Sequence, residues 1–195
     1  TPIKSSAASD VYKRQAEAIP ILEESGLIIP VGKWIIQNAF SMCTECRKYY
    51  PEFRVSINLS YVQILKSPLM MELKQIIDHS GISCSGIIVE LTESGYLEGT
   101  PAVRSVWNDM KKLRIQIALD DFGTGYSNLM NISNLEPDIV KLDRGFTLKA
   151  LSRSYEYQLM QYVIEMVHKL NQYVCVEGVE TKDCLLYTSP SPRDR

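Results

Sequence analysis

The chain has 195 residues, with 21 Lys or Arg against 23 Asp or Glu, which gives a formal net charge of −2 at pH 7. This balance, without a cluster of basic and aromatic residues, argues against a polymeric nucleic acid as a partner. No apolar run is long enough to span a membrane, and the start lacks the pattern of a signal peptide. We therefore expect one domain located in the cytoplasm, although a longer parent protein is free to carry a membrane anchor.

The two ends of the chain differ from the rest. Residues 1–15 and 184–195 show neither helical nor strand periodicity, and the second segment has the Ser/Pro/Arg composition of a disordered tail. Both resemble translated sequencing-adapter sequence, so we predict that they are non-native scars and exclude them from the fold. The native domain is then predicted to cover residues 16–183.

Between these ends, strand patterns alternate with helical patterns. Apolar periodicity and turn residues predict helices at 19–26, 31–50, 68–79, 101–113, 126–135 and 154–170. Short apolar runs predict strands at 54–60, 86–91, 115–121, 138–143 and 173–178. Alternation of this kind is typical of the α/β class, in which a parallel sheet is covered by helices.

The helix predicted at 31–50 carries two neighbouring apolar rows. Trp34, in this helix, and Trp107, in a later one, are both predicted to pack helices against the sheet. The five cysteines are odd in number and no second pair completes a zinc site, so we interpret Cys43 and Cys46 as free core thiols. One row contains Ile35, Ala39, Met42 and Cys46, and Ile36, Phe40 and Cys43 lie beside it.

A polar residue recurs near the carboxyl end of every predicted strand. Because side chains alternate between the faces of a strand, all of these positions can face the inside of a parallel (β/α) barrel, at the rim where such barrels hold their active sites. A single rim carboxylate is more often solvated or a helix cap, but five successive strands predict a site. In chain order the residues are Asn58, Glu90, the pair Asp120 and Asp121, Lys141, and Glu177.

The predicted site is rich in hard oxygen donors, namely four carboxylates and one amide. Such donors favour Mg²⁺ or Mn²⁺ over zinc, with Ca²⁺ as a further option. The adjacent Asp120 and Asp121 suit a pair of ions about 3.5–4 Å apart, a spacing that serves phosphoryl transfer. Lys141 is predicted to hold a nucleophilic water or a phosphate oxygen. This chemistry indicates metal-dependent hydrolysis of a phosphodiester.

Two patterns at the end of the third predicted strand also match motifs of other protein families. Asp121, Phe122 and Gly123 match the magnesium motif of kinases, but the sequence contains none of the other kinase motifs. Residues 123–128 approach a dinucleotide-binding loop. That alternative is weakened by Asn128 in place of the third glycine, and by the two aspartates, which would repel a pyrophosphate.

Five short motifs, in this order, resemble those of EAL domains, the cyclic di-GMP-specific phosphodiesterases of bacterial signalling. They begin at Val55, Val89, Ala118, Val140 and Val176 and read VSINLS, VELTES, ALDDFGTGYS, VKLDR and VEGVET. The resemblance covers residues 19–181. It implies a TIM-like (β/α) barrel with one irregular strand, and metal-dependent hydrolysis of cyclic di-GMP to the linear dinucleotide pGpG.

The resemblance also implies roles for individual residues. Lys141 is expected to position the attacking water, and Glu180 is expected to act beside it through water. Glu177 is expected both to take part in catalysis and to serve an ion. Two Mg²⁺ or Mn²⁺ ions are expected in the site, and their ligands would be Asn58, Glu90, Asp120, Asp121 and Glu177.

The loop after Asp121 has an implied role of its own. Glu93 is expected to brace this loop, and Gly123 and Gly125 are expected to allow the tight turn that orients both ions. The same loop is expected to provide the contact for a homodimer.

The chain departs from the family pattern at both ends. The glutamate–alanine–leucine motif that names the family belongs on a first strand upstream, and the last strand with its glutamine belongs downstream of residue 183. We therefore expect an incomplete barrel, with its first and last strands missing, and weak or no activity for this chain. The alternative hypothesis is a module that binds cyclic di-GMP without cleaving it. A parent protein is free to carry sensor or cyclase domains.

Overall fold

The computed structural model describes residues 17–92, 100–124, 132, 135–152 and 154–179, without the side chains of residues 152 and 154. The two predicted scars lie outside these residues, as does most of the helix predicted at 126–135. Within the described part of the chain, no helix is long and apolar enough to cross a membrane.

The strands form one parallel sheet whose spatial order is the order of the chain. Each strand pairs in parallel with the next one along the sequence. Sequential parallel strands joined by helices are the arrangement of a (β/α) barrel, so the predicted fold class is confirmed, with five strands forming part of such a barrel. The strands are β1 (Val55–Asn58), β2 (Ile87–Thr92), β3 (Gln116–Phe122), β4 (Ile139–Leu142) and β5 (Tyr173–Val176).

Helices pack against one side of the sheet. Outward-pointing strand residues such as Ile57, Val89 and Leu119 are buried in the same core as the helical residues Phe40 and Met160. Burial of this apolar layer is the main stabilising contribution to the fold. The helices are α1 (17–25), α2 (Ile28–Arg47), α3 (Tyr61–Lys66), α4 (Leu69–Ser80), α5 (Pro101–Lys112), α6 (Arg144–Ser152) and α7 (Ser154–Lys169).

Of the two neighbouring apolar rows of α2, the one with Ile36, Phe40 and Cys43 is buried. The buried row runs through Gly32, Ile36 and Phe40, whereas Met42, in the neighbouring row, is 68% exposed. The buried row includes a glycine because the amide of Gln63, in α3, packs against Gly32 and leaves no room for a Cβ atom. The apolar pattern alone therefore does not distinguish which of the two rows is buried.

The two tryptophans differ in exposure, and of the two cysteines of α2, Cys43 is buried and Cys46 is half-buried. Trp107 is buried and its indole N–H donates a hydrogen bond to the Leu135 carbonyl at 2.8 Å, as expected of a packing residue. Trp34 is 64% exposed, so its predicted packing role is wrong, because α2 presents the row through Gly32 to the core instead. Cys43 is fully buried, which confirms it as a core thiol. The described cysteines, Cys43, Cys46, Cys84 and Cys175, are all free.

Two short helices arise from side-chain capping rather than from apolar periodicity. At the start of α3, the Ser60 hydroxyl accepts the backbone N–H of Val62, and the Gln63 side chain accepts that of Ser60. At the start of α6, the Asp143 carboxylate accepts the backbone N–H of Phe146 at 3.1 Å. These contacts begin helices directly after β1 and β4.

Candidate functional site

The carboxyl ends of the strands bring several of the predicted residues together. Asn58 is the direct register partner of Glu90 on the neighbouring strand. Lys141 lies two strands further, and Glu177 directly follows β5, where its backbone N–H donates to the Leu142 carbonyl at 3.0 Å. These positions alternate along the strands with fully buried residues, so they belong to the face of the sheet opposite the helical core.

The ammonium group of Lys141 is the centre of the site. Its Nζ atom lies 2.9 Å from one carboxylate oxygen each of Glu90, Asp120 and Glu177. An ammonium has three N–H donors, so these three carboxylates can use all of them. The Lys141 side chain is 14% exposed and Glu177, at 35%, is the most accessible of its partners. One lysine thereby joins β2, β3, β4 and the end of β5.

The charge of this cluster is negative, because three carboxylates surround one ammonium. Partial burial alone would lower the pKa of Lys141, but its hydrogen bonds to Asp120, Glu90 and Glu177 outweigh this effect and raise the pKa above the ordinary value. The lysine therefore remains a charged donor. A partly buried site with surplus negative charge favours the binding of a cation.

A β-bulge places two aspartates at this rim. Leu119 pairs with Val140 and Phe122 with Leu142, so β3 has one residue more than β4 over this interval. In a regular strand Asp120 and Asp121 would point to opposite faces, and a bulge redirects one of them. The Asp121 backbone N–H donates to Oδ1 of Asp120 at 3.0 Å. The signal for the bulge in the sequence is the pair itself, since two adjacent carboxylates cannot share a face of a regular strand.

Asp121 lies at the turn out of β3 with a φ of +58°, a left-handed conformation that aspartate tolerates better than most residues. Although the residue is exposed overall, partial desolvation raises the pKa of its carboxyl group. The charges of Asp120, Asp143 and Glu177 raise this pKa further. Asp121 thus lies within electrostatic range of the cluster around Lys141, and a cation would relieve the repulsion among these carboxylates.

The loop after Asp121 can accept only glycine at position 123. Gly123 has a φ of +105°, and a Cβ atom built on it would lie 2.8 Å from Cγ of Phe146. Both the backbone conformation and the close ring require the absence of a side chain. The remaining predicted residues of this region, Glu93, Gly125 and Glu180, lie outside the described residues.

Ser56 also belongs to the site, although it is not among the residues predicted for it. Its hydroxyl donates a short hydrogen bond to Oε1 of Glu90, while Oε2 of the same carboxylate accepts Lys141. A serine in a strand is too common to indicate a site by itself. Its position two residues before Asn58, and therefore on the same face of β1, is the signal that identifies it.

The chemistry of the donor set fits a hard divalent cation. The carboxylates of Glu90, Asp120 and Glu177, with the amide of Asn58 beside them, are the kinds of ligand that Mg²⁺ and Mn²⁺ prefer. Over the described ranges, no three His, Cys, Asp or Glu side chains already form a chelating group. The three carboxylates instead converge on Lys141. Since an ionised carboxylate offers about four lone pairs, each retains capacity for an ion beside the lysine.

Comparison with known proteins identifies related sequences. The family model of the EAL domain matches residues 6–188. The chain is 34% identical over 163 residues to the cyclic di-GMP phosphodiesterase PdeR of Escherichia coli (strain K12). This match covers 84% of the present chain and 25% of PdeR, so the chain spans about a quarter of the length of that relative.

Solved structures share the fold. The structure described as "PaMucR Phosphodiesterase, c-di-GMP complex" is similar with a TM-score of 0.81 and 26% identity, covering 89% of this chain and 70% of that one. The EAL enzyme Bd1971, in a form bound to cAMP and cyclic di-GMP, is similar with a TM-score of 0.80 and 28% identity. That match covers 87% of this chain and 47% of Bd1971.

Proposed function

The chain belongs to the EAL domain family, and from this premise we propose that it carries the active-site part of a phosphodiesterase that hydrolyses cyclic di-GMP to linear pGpG. The observation that carries the proposal is the convergence of Glu90, Asp120 and Glu177 on Lys141 at the carboxyl ends of the strands. This is the end at which (β/α) barrels perform their chemistry. PdeR is named as a cyclic di-GMP phosphodiesterase, and the MucR structure as a complex with c-di-GMP.

The proposed substrate carries two phosphodiester charges, which a cluster of carboxylates would repel. We therefore propose that divalent ions bind at the rim before or with the substrate. When bound, such ions would offset the negative charge of the phosphate and favour attack by water. The ligands of two Mg²⁺ or Mn²⁺ ions would be Asn58, Glu90, Asp120, Asp121 and Glu177.

The residues of the chain have separate tasks in this proposal. Lys141 holds a water molecule or a phosphate oxygen as a hydrogen-bond donor, and the raised pKa keeps it a donor rather than a base. Glu177, the most solvent-accessible of the three carboxylates, is suited to accept a proton. Glu180 would act next to it through water. Gly123, with Gly125 and Glu93, would fix the loop that holds Asp121 in place.

The proposed partners follow from the same premise. They are cyclic di-GMP and a second copy of the chain, which would meet the first at the loop after Asp121. We place the domain at residues 16–183 and in the cytoplasm, where the unpaired thiols of the described cysteines would stay reduced. The relative MucR of Pseudomonas aeruginosa is named a bifunctional diguanylate cyclase and cyclic di-GMP phosphodiesterase, which supports a parent protein with a further cyclase domain.

The proposal is tested by measuring ligand binding and turnover separately. Calorimetry with cyclic di-GMP and Mn²⁺ is expected to show metal-dependent binding to the chain, and Asp120→Asn is expected to abolish it. Turnover is measured as pGpG on a chain extended at both ends by the corresponding strands of PdeR. Glu45→Gln, which alters only an exposed pair with Lys48, serves as the control.

Each outcome of this experiment has a distinct meaning. Turnover that depends on Mn²⁺ and is lost in Asp120→Asn supports the phosphodiesterase. Tight binding without any pGpG favours the module that binds cyclic di-GMP without cleaving it. The absence of both binding and turnover contradicts the proposal.

A further inference from the structure

The Glu90 carboxylate is held from two directions. The Ser56 hydroxyl, on β1, donates to Oε1, and the Lys141 ammonium, on β4, donates to Oε2 at 2.9 Å. The two donors come from opposite sides of β2 in the sheet order. With each oxygen bonded to a different neighbour, the plane of the carboxylate is fixed, and rotation would break one of the two bonds.

This restraint distinguishes between divalent ions. Ca²⁺ accepts 6–8 oxygen ligands and commonly takes both oxygens of one carboxylate, whereas Mg²⁺ demands a near-octahedral shell. Each oxygen of Glu90 keeps a lone pair for a single bond to an ion, but an ion that takes both oxygens at once meets a donor on each of them, so this carboxylate suits the smaller ion. An ion that needs both oxygens would have to compete with the Ser56 hydroxyl for Oε1.

We propose that Ser56 is a positioning residue that restricts Glu90 to one-oxygen ligation and thereby makes the site prefer Mg²⁺ and Mn²⁺ over Ca²⁺. This inference rests on the proposed function, because it concerns the ions which that function requires. Ser56 acts through Glu90 and not by contact with the substrate. Its role is the selection of the ion rather than the creation of the site.

The fold does not require the Ser56 hydroxyl. Ser56 is exposed on the polar face of β1, while its neighbour Ile57 is the residue that enters the core. Water can replace the hydroxyl's bond at an exposed position, so its removal is expected to leave the stability of the chain almost unchanged. A change in ion preference can therefore be separated from a change in folding.

The test compares the affinities of the chain for two ions, with no substrate present. Free Mn²⁺ is measured by electron paramagnetic resonance, and Ca²⁺ is added as the competitor. Ser56→Ala is expected to shift the ratio of the Ca²⁺ and Mn²⁺ affinities towards Ca²⁺ by about tenfold, the effect of losing one hydrogen bond to a charged group. Ser56→Thr, which keeps the hydroxyl, is expected to restore the original ratio.

Two further variants keep the result interpretable. Ser41→Ala removes an exposed hydroxyl that bonds only its own helix, at the Gln37 carbonyl, and is expected to leave the ratio unchanged. Should Ser56→Ala fail to fold, Ser56→Cys substitutes a weak donor of similar size and is expected to shift the ratio in the same direction.

The possible outcomes test the role of Ser56 in ion selection separately from the proposed function. An unchanged ratio in Ser56→Ala, with Mn²⁺ still bound, overturns the inference and leaves the proposed function intact. An equal loss of both ions also overturns it, because Ser56 would then support the site without selecting the ion. If the unaltered chain binds neither ion, the proposed metal centre itself is wrong.

Discussion

The Nζ atom of Lys141 lies 2.9 Å from Oδ1 of Asp120, at the one interval where β3 and β4 fall out of register. In this interval two residues of β3, Asp120 and Asp121, stand opposite the single residue Lys141. The first aspartate bonds the lysine, and the second begins the loop with a φ of +58°. The position of the bulge therefore determines which carboxylate the lysine neutralises.

Replacing Lys141 by methionine is expected to destabilise the metal-free chain. The substitution leaves three partly buried carboxylates without their cation, at a cost of about 2 kcal/mol after allowance for their partial exposure. For a chain of this size the Tm is expected to fall by about 4–8 °C. Divalent ions should raise the Tm of Lys141→Met more than that of the unaltered chain, since they replace the lost positive charge. Differential scanning calorimetry with EDTA and with Mn²⁺ measures both effects.

The matched control is Lys169→Met, which breaks an exposed pair with Glu165 and should change the Tm very little.

The stability that Lys141 contributes depends on pH in a defined direction. Because the pKa of Lys141 is raised from its ordinary value of 10.5, its contribution is fully present below that pH and is lost only as the pH rises further. The difference between Lys141→Met and the unaltered chain should thus stay constant from about pH 6 to about pH 9. A difference that disappears within this range would contradict the assignment.

Gly123→Ala is expected to be more damaging than the same change at another glycine with positive φ. At Gly123 the new Cβ meets the ring of Phe146 as well as a φ of +105°, whereas at Gly26 (φ +74°) it meets nothing within 4 Å. We expect a loss of about 1 kcal/mol for Gly26→Ala and about 3 kcal/mol for Gly123→Ala. Urea unfolding measures both. Phe146→Ala removes the ring atoms Cγ and Cδ1 that crowd position 123, so Gly123→Ala and Phe146→Ala combined should lose less stability than the sum of the two single losses. Equal losses at the two glycines would refute the role of the ring.

The strand ends could be predicted from the sequence because apolar runs stop at a polar residue five times in succession. That pattern is local, and the parallel arrangement then brings Glu90, Lys141 and Glu177 together without further information. The bulge is harder to predict from the sequence, since it depends on how β3 pairs with β4. Only the adjacency of Asp120 and Asp121 hints at it.

The orientation of α2 could not be predicted because it depends on a contact between two helices. Gly32 is unremarkable in the sequence, yet the side chain of Gln63 packs against it in the core, while Trp34 is exposed. The bond between Ser56 and Glu90 has the same origin, since it joins residues on different strands. Such pairings follow from tertiary geometry and leave no periodic pattern.

Cys43 is expected to resist thiol reagents in the folded chain. The residue is fully buried, its S–H group lies 3.8 Å from the carbonyl oxygens of Phe53 and Gly86, and burial raises the pKa of the thiol. Iodoacetamide labelling at about pH 8, followed by peptide mass spectrometry, should therefore modify Cys84 well before Cys43.

Urea is the control for this labelling, because both thiols should react at similar rates once the chain is unfolded.

The raised pKa of the Cys43 thiol also affects the stability of the fold. The native thiol binds its proton more tightly than the unfolded one, so stability should fall as the pH rises above the ordinary value of 9.0. Equal labelling of Cys43 and Cys84 in the native chain would contradict this placement.

The two tryptophans provide a matched pair for testing the orientation of the helices. Trp107→Phe removes the donor that bonds the Leu135 carbonyl at 2.8 Å and leaves that buried oxygen unpaired. A cost of about 2 kcal/mol follows, and the Tm should fall by about 4–8 °C. Trp34→Phe, on the exposed side of α2, should change the stability by less than about 0.5 kcal/mol. In Trp107→Phe the remaining indole should be readily quenched by acrylamide, and a protected indole would show that α2 faces the core through Trp34 after all.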